Sequence, residues 1–163
     1  MDSVFSTYLQ LGSNVGDRAA NLQMARTELE ARAGRILQCS QLYETAAWGI
    51  TDQASFYNQV LQLSTSLTAR ELLNCVLEIE EWMGRVREYK WGPRLIDIDI
   101  LFYENLILRE TGLQIPHPEI ANRRFVLLPL CEIAPHFRHP ETGQTIEEIL
   151  QKTEDQQAVC RLD

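Results

Sequence analysis

Two aspartates lie close together in the most regular apolar segment of the sequence. Asp97 and Asp99 alternate with isoleucines in the segment 95–103, and this period of two predicts a β-strand with both carboxylates on one face. Two strand rises would separate their Cα atoms by about 6.6 Å. Mg²⁺ prefers oxygen ligands and is typically held by one or two carboxylates together with substrate phosphates. The pair therefore indicates a magnesium site; salt bridges to a neighbouring strand or a solvated outer face are the structural alternatives.

A cluster of cations directly precedes these aspartates. Residues 85–94 carry a net charge of +3, whereas the whole chain carries −8. Divalent ions and arginine side chains together neutralise phosphates during phosphoryl transfer. The sequence has no P-loop motif, so a nucleotide would have to be bound without that phosphate cradle. We expect a loop that closes over a phosphate-bearing substrate, with four cations in it: Arg85, Arg87, Lys90 and Arg94.

Aromatic and amide side chains suggest a flat ligand as well. Phe56 and Phe125 could sandwich a heterocycle, and Asn58, two residues beyond Phe56 on the same strand face, could read its edge. Taken singly, these phenylalanines are also typical core residues. His117 lies between two prolines, where it is either a structural residue or a polar group of the same cleft. The pair His136 and His139 has no third ligand nearby in the sequence, so we do not expect a zinc site there.

Hydrophobic periodicity and capping signals predict the elements that must position these residues. Asp17 and Thr68 are expected to cap helices, and Thr68 begins a Thr-x-x-Glu capping box. In the last strand, Ile96, Ile98, Ile100 and Phe102 are expected to share one face. The predicted strands are 4–11, 35–45, 56–66 and 95–103, followed by short helical pieces at 123–133 and 145–151. The order β, α, β, β, α, β predicts an α+β, ferredoxin-like split βαβ fold, an antiparallel sheet with helices packed on its faces, in one domain over 1–163.

Charge and composition exclude several classes of protein. The net charge of −8 over 163 residues opposes binding to nucleic acid and to anionic lipid. No apolar run approaches the 18 residues of a membrane span. The four cysteines, Cys39, Cys75, Cys131 and Cys160, are widely spaced and are expected to be reduced, packed thiols. We therefore expect a cytoplasmic protein with no nucleic-acid or membrane partner.

Four separated motifs carry a family resemblance. They are Leu11-Gly12-Ser13-Asn14, Tyr43-Glu44-Thr45, the run from Lys90 to Leu101 that contains Gly-Pro-Arg-x-x-Asp-x-Asp, and Pro116-His117-Pro118. In this order the sequence resembles the 6-hydroxymethyl-7,8-dihydropterin pyrophosphokinases of folate biosynthesis, from about residue 7 to about residue 140. The resemblance implies a monomer that transfers diphosphate from ATP to the pterin hydroxymethyl group, releases AMP and uses two Mg²⁺ ions.

The same resemblance implies a role for each matching residue. Asp97 and Asp99 match the magnesium ligands, and Arg85 and Arg94 match catalytic arginines of a mobile loop. The implied ATP-binding residues are Glu80, Arg87, Ile100, His117 and Arg123. The implied pterin-binding residues are Thr45, Ala46, Trp48, Phe56, Asn58, Trp91 and Phe125.

Two other classes of protein use parts of this pattern. An RNA-binding module can be built on a split βαβ sheet, but such modules stack bases on sheet aromatics and are usually basic. A metal-dependent nuclease or nucleotidyl transferase also pairs aspartates with arginines. Release of AMP from ATP in the presence of Mg²⁺ and the reduced pterin separates the three functions.

Overall fold

Antiparallel strands form the scaffold of the molecule. The computed structural model describes residues 3–46, 54–84 and 95–162. The strands in these residues are β1 (Phe5–Ser13), β2 (Gly34–Cys39), β3 (Leu42–Thr45), β4 (Phe56–Thr65), β5 (Asp97–Tyr103), β6 (Leu108–Glu110), β7 (Leu113–Ile115) and β8 (Val159–Leu162). The helices are α1 (Arg18–Arg32), α2 (Ala69–Trp82), α3 (Arg124–Ile133) and α4 (Ile146–Lys152), with a short 3₁₀ turn at Ile120–Asn122.

The main sheet has the strand order β5-β1-β4-β3-β8, and β2 pairs with β4 beyond the end of β3. Its first four positions reproduce the predicted split βαβ topology, because β1 and β4 are central neighbours and β5 lies outside β1. The predicted strand 35–45 is wrong in one respect: it is two strands, separated at Ser40 and Gln41. Ser40 interrupts the ladder because its side chain accepts a hydrogen bond from Val60 N at 3.1 Å. In the order of the sheet, β5 forms one edge and the C-terminal strand β8 forms the other.

Each face of the sheet is covered by its own hydrophobic cluster. On one face, Leu9, Leu11 and Leu61 pack with α1 and α2 residues such as Leu22 and Leu72. On the other face, Tyr8 and Val60 pack with Val126 of α3 and Ile146 of α4. Alternating residues of one strand enter opposite clusters, as the strand period requires. The helices thus lie on both faces, with α1 and α2 on one side and α3 and α4 on the other.

A β-bulge divides β5. Leu9 pairs with Ile100 and Tyr8 pairs with Phe102, so Leu101 is an extra residue without an opposite partner. Ile98 and Ile100 belong to the α1 and α2 cluster, whereas Phe102 belongs to the α3 and α4 cluster. The prediction that Phe102 shares the face of Ile96, Ile98 and Ile100 is therefore wrong, because the bulge reverses the alternation after Ile100.

Capping groups define both ends of α2, the first of them as predicted. Thr68 Oγ1 accepts from Glu71 N at 3.1 Å, and the Glu71 carboxylate accepts from Thr68 N at 2.8 Å. Gly84 has a φ of +83° and its N–H returns to Glu81 O at 2.9 Å, the left-handed helix end that glycine favours. This end fixes where the chain leaves α2 toward residues 85–94, which lie outside the described residues.

Several elements differ from the sequence prediction. β1 continues to Ser13, beyond the predicted end at residue 11, so Gly12 and Ser13 are strand residues paired with β4. The β6–β7 hairpin and β8 were not predicted. Cys39 and Cys160 are exposed, although the four cysteines are free as expected. Within the described ranges, no helix is long and apolar enough to cross a bilayer.

The Thr68→Ala substitution tests the capping box. It removes the acceptor for Glu71 N, and we expect the free energy of unfolding to fall by about 1 kcal/mol. Urea denaturation measures this loss. Thr27→Ala is the control, because Thr27 lies inside α1 and alanine has the higher helix propensity. Equal stability of Thr68→Ala and the unmodified protein would contradict a stabilising cap.

Candidate functional site

The register of the sheet brings three predicted site residues into one row. Gly12 of β1 pairs with Asp97 of β5 on one side and with Asn58 of β4 on the other. Asp99 pairs with Gln10. Directly opposite residues of an antiparallel pair project from the same face, and this is the face that α3 covers. Asp97 and Asp99 therefore share one face, as their spacing predicts, and Asn58 lies on that face two strands away.

Gly12 leaves room at the centre of this row. A Cβ atom at position 12 would lie 3.1 Å from Asn58 Oδ1 and 3.6 Å from Phe56 Cδ1. The first distance is tighter than ordinary van der Waals contact. The amide of Asn58 and the ring of Phe56 thus lie above the backbone of β1 because residue 12 has no side chain. The sequence motif around Gly12 resembled the family, but its packing role could not be seen without the register.

A buried hydrogen bond fixes the Asn58 amide. Its Nδ2 donates to Thr45 Oγ1 at 3.0 Å, and both residues are almost completely buried. This bond holds the amide with Nδ2 toward Thr45 and with Oδ1 over Gly12. Thr45 in turn pairs with Phe56. Thr45, Phe56 and Asn58 therefore form one rigid patch at the ends of β3 and β4.

Glu80 lies behind the two aspartates rather than beside them. It is buried in α2, and its Oε2 accepts from Ile98 N at 2.8 Å. Ile98 is the residue between Asp97 and Asp99, so Glu80 holds the backbone that carries both carboxylates. Direct contact of Glu80 with ATP stays a prediction.

A cleft of about 420 Å³ runs along the β5 edge of the sheet. It brings together Asp99, Ile100 and His117, three of the predicted residues, with Leu73 of α2 opposite them. The turn of the β6–β7 hairpin forms another wall. The sequence signal for this hairpin is Gly112, with a φ of +76°, in the turn between two short apolar segments. Strands of three residues are too short to be recognised by periodicity.

His117 lies between charged groups of opposite sign. Its Nδ1 accepts from Glu119 N at 3.1 Å, so in the neutral imidazole Nε2 carries the proton. Burial lowers the pKa of His117, the positive charge of Arg123 lowers it further, and the carboxylates of Asp99 and Glu119 act in the opposite direction. His117 therefore offers an N–H donor beside Asp99, near the Arg123 guanidinium.

Phe125 stands at the start of α3, half-buried against the second cluster. The guanidinium of Arg123 lies 5.7 Å from its ring centroid, within the range of a cation–π contact. Ala46 is exposed at the end of β3, and its carbonyl accepts from Gln157 Nε2 at 3.1 Å. Gln157 was missed at the sequence level, since nothing in its local sequence signals this contact.

The donor set fits a metal that is shared with a substrate. Among the described residues, no group of three or more His, Cys, Asp or Glu side chains converges on one point. Two carboxylates on one strand face are too few for an all-protein cage but suffice for Mg²⁺ bound to phosphate oxygens and water. The remaining predicted residues, Arg85, Arg87, Arg94, Trp48 and Trp91, lie outside the described residues.

Comparison with known sequences finds a family match. The model of the family described as 7,8-dihydro-6-hydroxymethylpterin-pyrophosphokinase matches residues 8–135. A 2-amino-4-hydroxy-6-hydroxymethyldihydropteridine pyrophosphokinase of Methylorubrum extorquens is 47% identical over 146 residues, which are 89% of this chain and 91% of the relative. The protein of the same name from Aquifex aeolicus is 43% identical over 88% of this chain and 89% of its own length.

Longer relatives contain a similar segment. A folic acid synthesis protein of Dictyostelium discoideum is 44% identical over 82% of this chain and 20% of its own length. Among solved structures, wild-type Plasmodium falciparum HPPK-DHPS with pteroate superposes with a TM-score of 0.76 and 19% identity, over 93% of this chain and 43% of that one. This structural likeness shows the shared fold.

The titration of His117 tests the electrostatics of the cleft. In protein free of nucleotide and metal, we expect its midpoint below 6.5, because burial disfavours the imidazolium form. The unfolded chain then takes up this proton at a higher pH than the folded protein, so His117 lowers the free energy of unfolding as the pH falls through about 6.5. Imidazole ¹H–¹⁵N correlation spectra measure the midpoint, and His117→Gln assigns the signal. A midpoint above 6.5 would contradict the inferred burial.

Proposed function

Because this chain belongs to the 7,8-dihydro-6-hydroxymethylpterin-pyrophosphokinase family, we propose that its cleft and the adjoining face of the sheet bind the two substrates of that reaction. The enzyme transfers diphosphate from ATP to 6-hydroxymethyl-7,8-dihydropterin, giving the pterin diphosphate and AMP, in folate biosynthesis. The single observation that carries the assignment of the site is the row Asp97–Gly12–Asn58, which sets a carboxylate pair beside a buried amide.

ATP is proposed to occupy the cleft at the β5 edge. Ile100 supplies apolar wall, and His117 supplies an N–H donor on Nε2 for a phosphate oxygen. Arg123 lies close enough to His117 to lower its pKa and adds a permanent positive charge. Glu80 acts in this proposal through Ile98 N, by holding the strand that carries the carboxylates. Arg87, which lies outside the described residues, is the remaining proposed ATP ligand.

Asp97 and Asp99 are the proposed ligands of two Mg²⁺ ions. Mg²⁺ held by these two carboxylates would neutralise the phosphate charge. Two half-buried carboxylates on one strand face repel each other, and cations between them and the phosphates would relieve that repulsion. Glu80 and the pairing with β1 keep the backbone under both aspartates fixed.

The pterin is proposed to lie on the sheet face above Gly12. Asn58 Nδ2 is occupied by Thr45 Oγ1, so Oδ1 can accept from an N–H group of the ring. Phe56 and Phe125 would cover the two faces of the heterocycle. The backbone of Thr45 and Ala46 would form the adjoining wall, with Trp48 and Trp91 as further proposed contacts outside the described residues.

The proposed reaction is an in-line displacement. The pterin hydroxyl oxygen attacks the β-phosphorus of ATP and forms a new P–O bond, while the bond between the β-phosphorus and the α-phosphate oxygen breaks to release AMP. The hydroxyl proton is lost to the solvent. The enzyme contributes position and charge rather than a nucleophile. Arg85 and Arg94, outside the described residues, are the proposed catalytic cations that stabilise the transferring group.

Incubation with ATP, Mg²⁺ and the reduced pterin, scored by AMP release, tests this function. Release that requires the pterin supports it. Cleavage of a nucleic acid or of ATP without the pterin would favour a nuclease or nucleotidyl transferase, and binding of RNA would favour an RNA-binding module. A monomeric enzyme, one catalytic domain over 1–163 and a cytoplasmic location complete the proposal.

Asp99→Asn tests the metal ligands. The amide keeps the size of the side chain but loses the charge that would bind Mg²⁺, and we expect AMP release to fall about 100-fold or more. The matched control is Asp17→Asn. Asp17 caps α1, 82 residues before Asp99 in the sequence, and asparagine caps a helix equally well. Full activity of Asp99→Asn would contradict the metal role, provided that circular dichroism shows a folded protein.

Gly12→Ala tests the pterin site. The added Cβ would press on Asn58 Oδ1 and the Phe56 ring, so we expect the KM for the pterin to rise about three- to tenfold, the worth of one displaced hydrogen bond. The KM for ATP is the internal control and should change less than twofold. Steady-state kinetics with each substrate varied measures both. An unchanged pterin KM would show that the ring does not contact Asn58.

A further inference from the structure

The segment between α4 and β8 crosses from one side of the proposed pterin site to the other. We call residues 153–158 the C-terminal strap. At its beginning, Thr153 Oγ1 donates to Ala121 O at 2.7 Å. At its end, it leads into β8, whose Val159 pairs with Thr45. The strap thus joins the 3₁₀ turn that precedes α3, the helix of Phe125, to the end of β3, which Ala46 directly follows.

The strap caps α3. Arg123, the N-cap residue of α3, makes no side-chain capping bond. Asp155 Oδ2 accepts from Arg124 N at 2.8 Å instead, and Asp155 Oδ1 accepts from Gln157 N at 3.0 Å. A carboxylate at a helix N-terminus is favourable because of the exposed N–H groups there. The start of α3, with Arg123 and Phe125, is therefore positioned by a residue about thirty positions later in the chain.

Gln157 connects the strap both to the start of α3 and to Ala46. Its carbonyl accepts from Arg124 Nη1 at 3.0 Å, and its side-chain Nε2 donates to Ala46 O at 3.1 Å. The orientation of this amide is determined, because a carbonyl oxygen can receive a hydrogen bond only from the NH₂ side. Gln157 is thus one link between the first turn of α3 and the Thr45–Ala46 wall.

The other half of the Gln157 amide has no partner among the described residues. Oε1 is buried and accepts no hydrogen bond within the part of the chain that the structure describes. Buried acceptors without a donor are rare in folded proteins and require an explanation. Here the NH₂ group is held by the Ala46 carbonyl, and Oε1 is left without a donor. The hydrogen bond to Ala46 therefore accounts for the orientation of the amide.

We infer that Gln157 is a positioning residue for the pterin site, which holds the backbone of Ala46 through the C-terminal strap. This inference rests on the proposed function. The wall at Thr45 and Ala46 lies at the end of β3, a strand of only four residues. The Gln157 side chain holds the Ala46 carbonyl from the side of the strap. Gln157 and the pairing of Thr45 with Val159 hold that wall from the sheet edge, at a fixed position relative to α3.

The test compares Gln157 with its neighbour Gln156. Gln157→Ala removes the donor, and Gln157→Glu removes it while keeping nearly the same shape. Gln156 is exposed, so Gln156→Ala and Gln156→Glu are matched controls for side-chain truncation and for added charge. We expect both Gln157 variants to raise the KM for the pterin about three- to tenfold, with the KM for ATP and kcat changed less than twofold and with both Gln156 variants unchanged.

A second readout does not depend on turnover. Titration of the pterin by fluorescence, without ATP, should show the same three- to tenfold loss of affinity for the Gln157 variants. Arg124→Met breaks the bond to the Gln157 carbonyl while keeping the apolar stem, and it should produce a loss in the same direction. This variant covers the case in which a Gln157 variant does not fold.

The outcomes separate the positioning role from the function itself. Active wild-type enzyme with unchanged pterin affinity in the Gln157 variants overturns the positioning role and leaves the function intact. Equal increases in both KM values, with a lower Tm, also overturn it, because they indicate general destabilisation. Wild-type protein that neither binds the pterin nor releases AMP overturns the proposed function, and the positioning role with it.

Discussion

The antiparallel pairing of β1 with both β4 and β5 is the constraint on which the site depends. One residue, Gly12, faces Asp97 on one side and Asn58 on the other. The hydrogen bonds of the two ladders fix this register, since a slip by one residue would turn every side chain of the strand to the opposite face. The carboxylates and the buried amide are therefore held in register by the backbone rather than by contact with each other.

The two hydrophobic clusters stabilise this alignment from both sides. Leu9 and Leu11 are locked under α1 and α2, while Tyr8 on the other face packs against Phe102 and Phe137. Each cluster is satisfied only in the observed register. Glu80 adds a polar link at the most sensitive point, the backbone N–H of Ile98 between the aspartates. Burial and pairing thus favour the same arrangement, which keeps the site rigid.

Much of this arrangement could be predicted because it has local causes. The Thr68 capping box and the alternation around Asp97 and Asp99 are short-range signals, and they gave the element order and the shared face of the carboxylates. The bulge at Leu101 has no such signal. It places Phe102 beside Tyr8 in the cluster under α3 and α4, which is a property of the assembled clusters.

The parts that sequence reasoning missed are held by tertiary contacts. The strands β6 and β7 have three residues each, too few for a recognisable period, although they form a wall of the cleft. The C-terminal strap is a polar segment, and its role depends on hydrogen bonds to residues far away in the chain, such as Ala46 and Arg124. The role of Gly12 likewise depends on what lies opposite it in the neighbouring strands.

The bulge in β5 also constrains how this strand can vary in length. Because Leu101 has no partner on β1, its deletion would restore strict alternation and leave Asp97, Asp99 and Phe102 together on the α3 side. An insertion at the same place would lengthen the bulge without moving Asp97 and Asp99 relative to Gly12. Related chains can therefore differ by one residue at this point without moving the aspartates to the other face of the sheet.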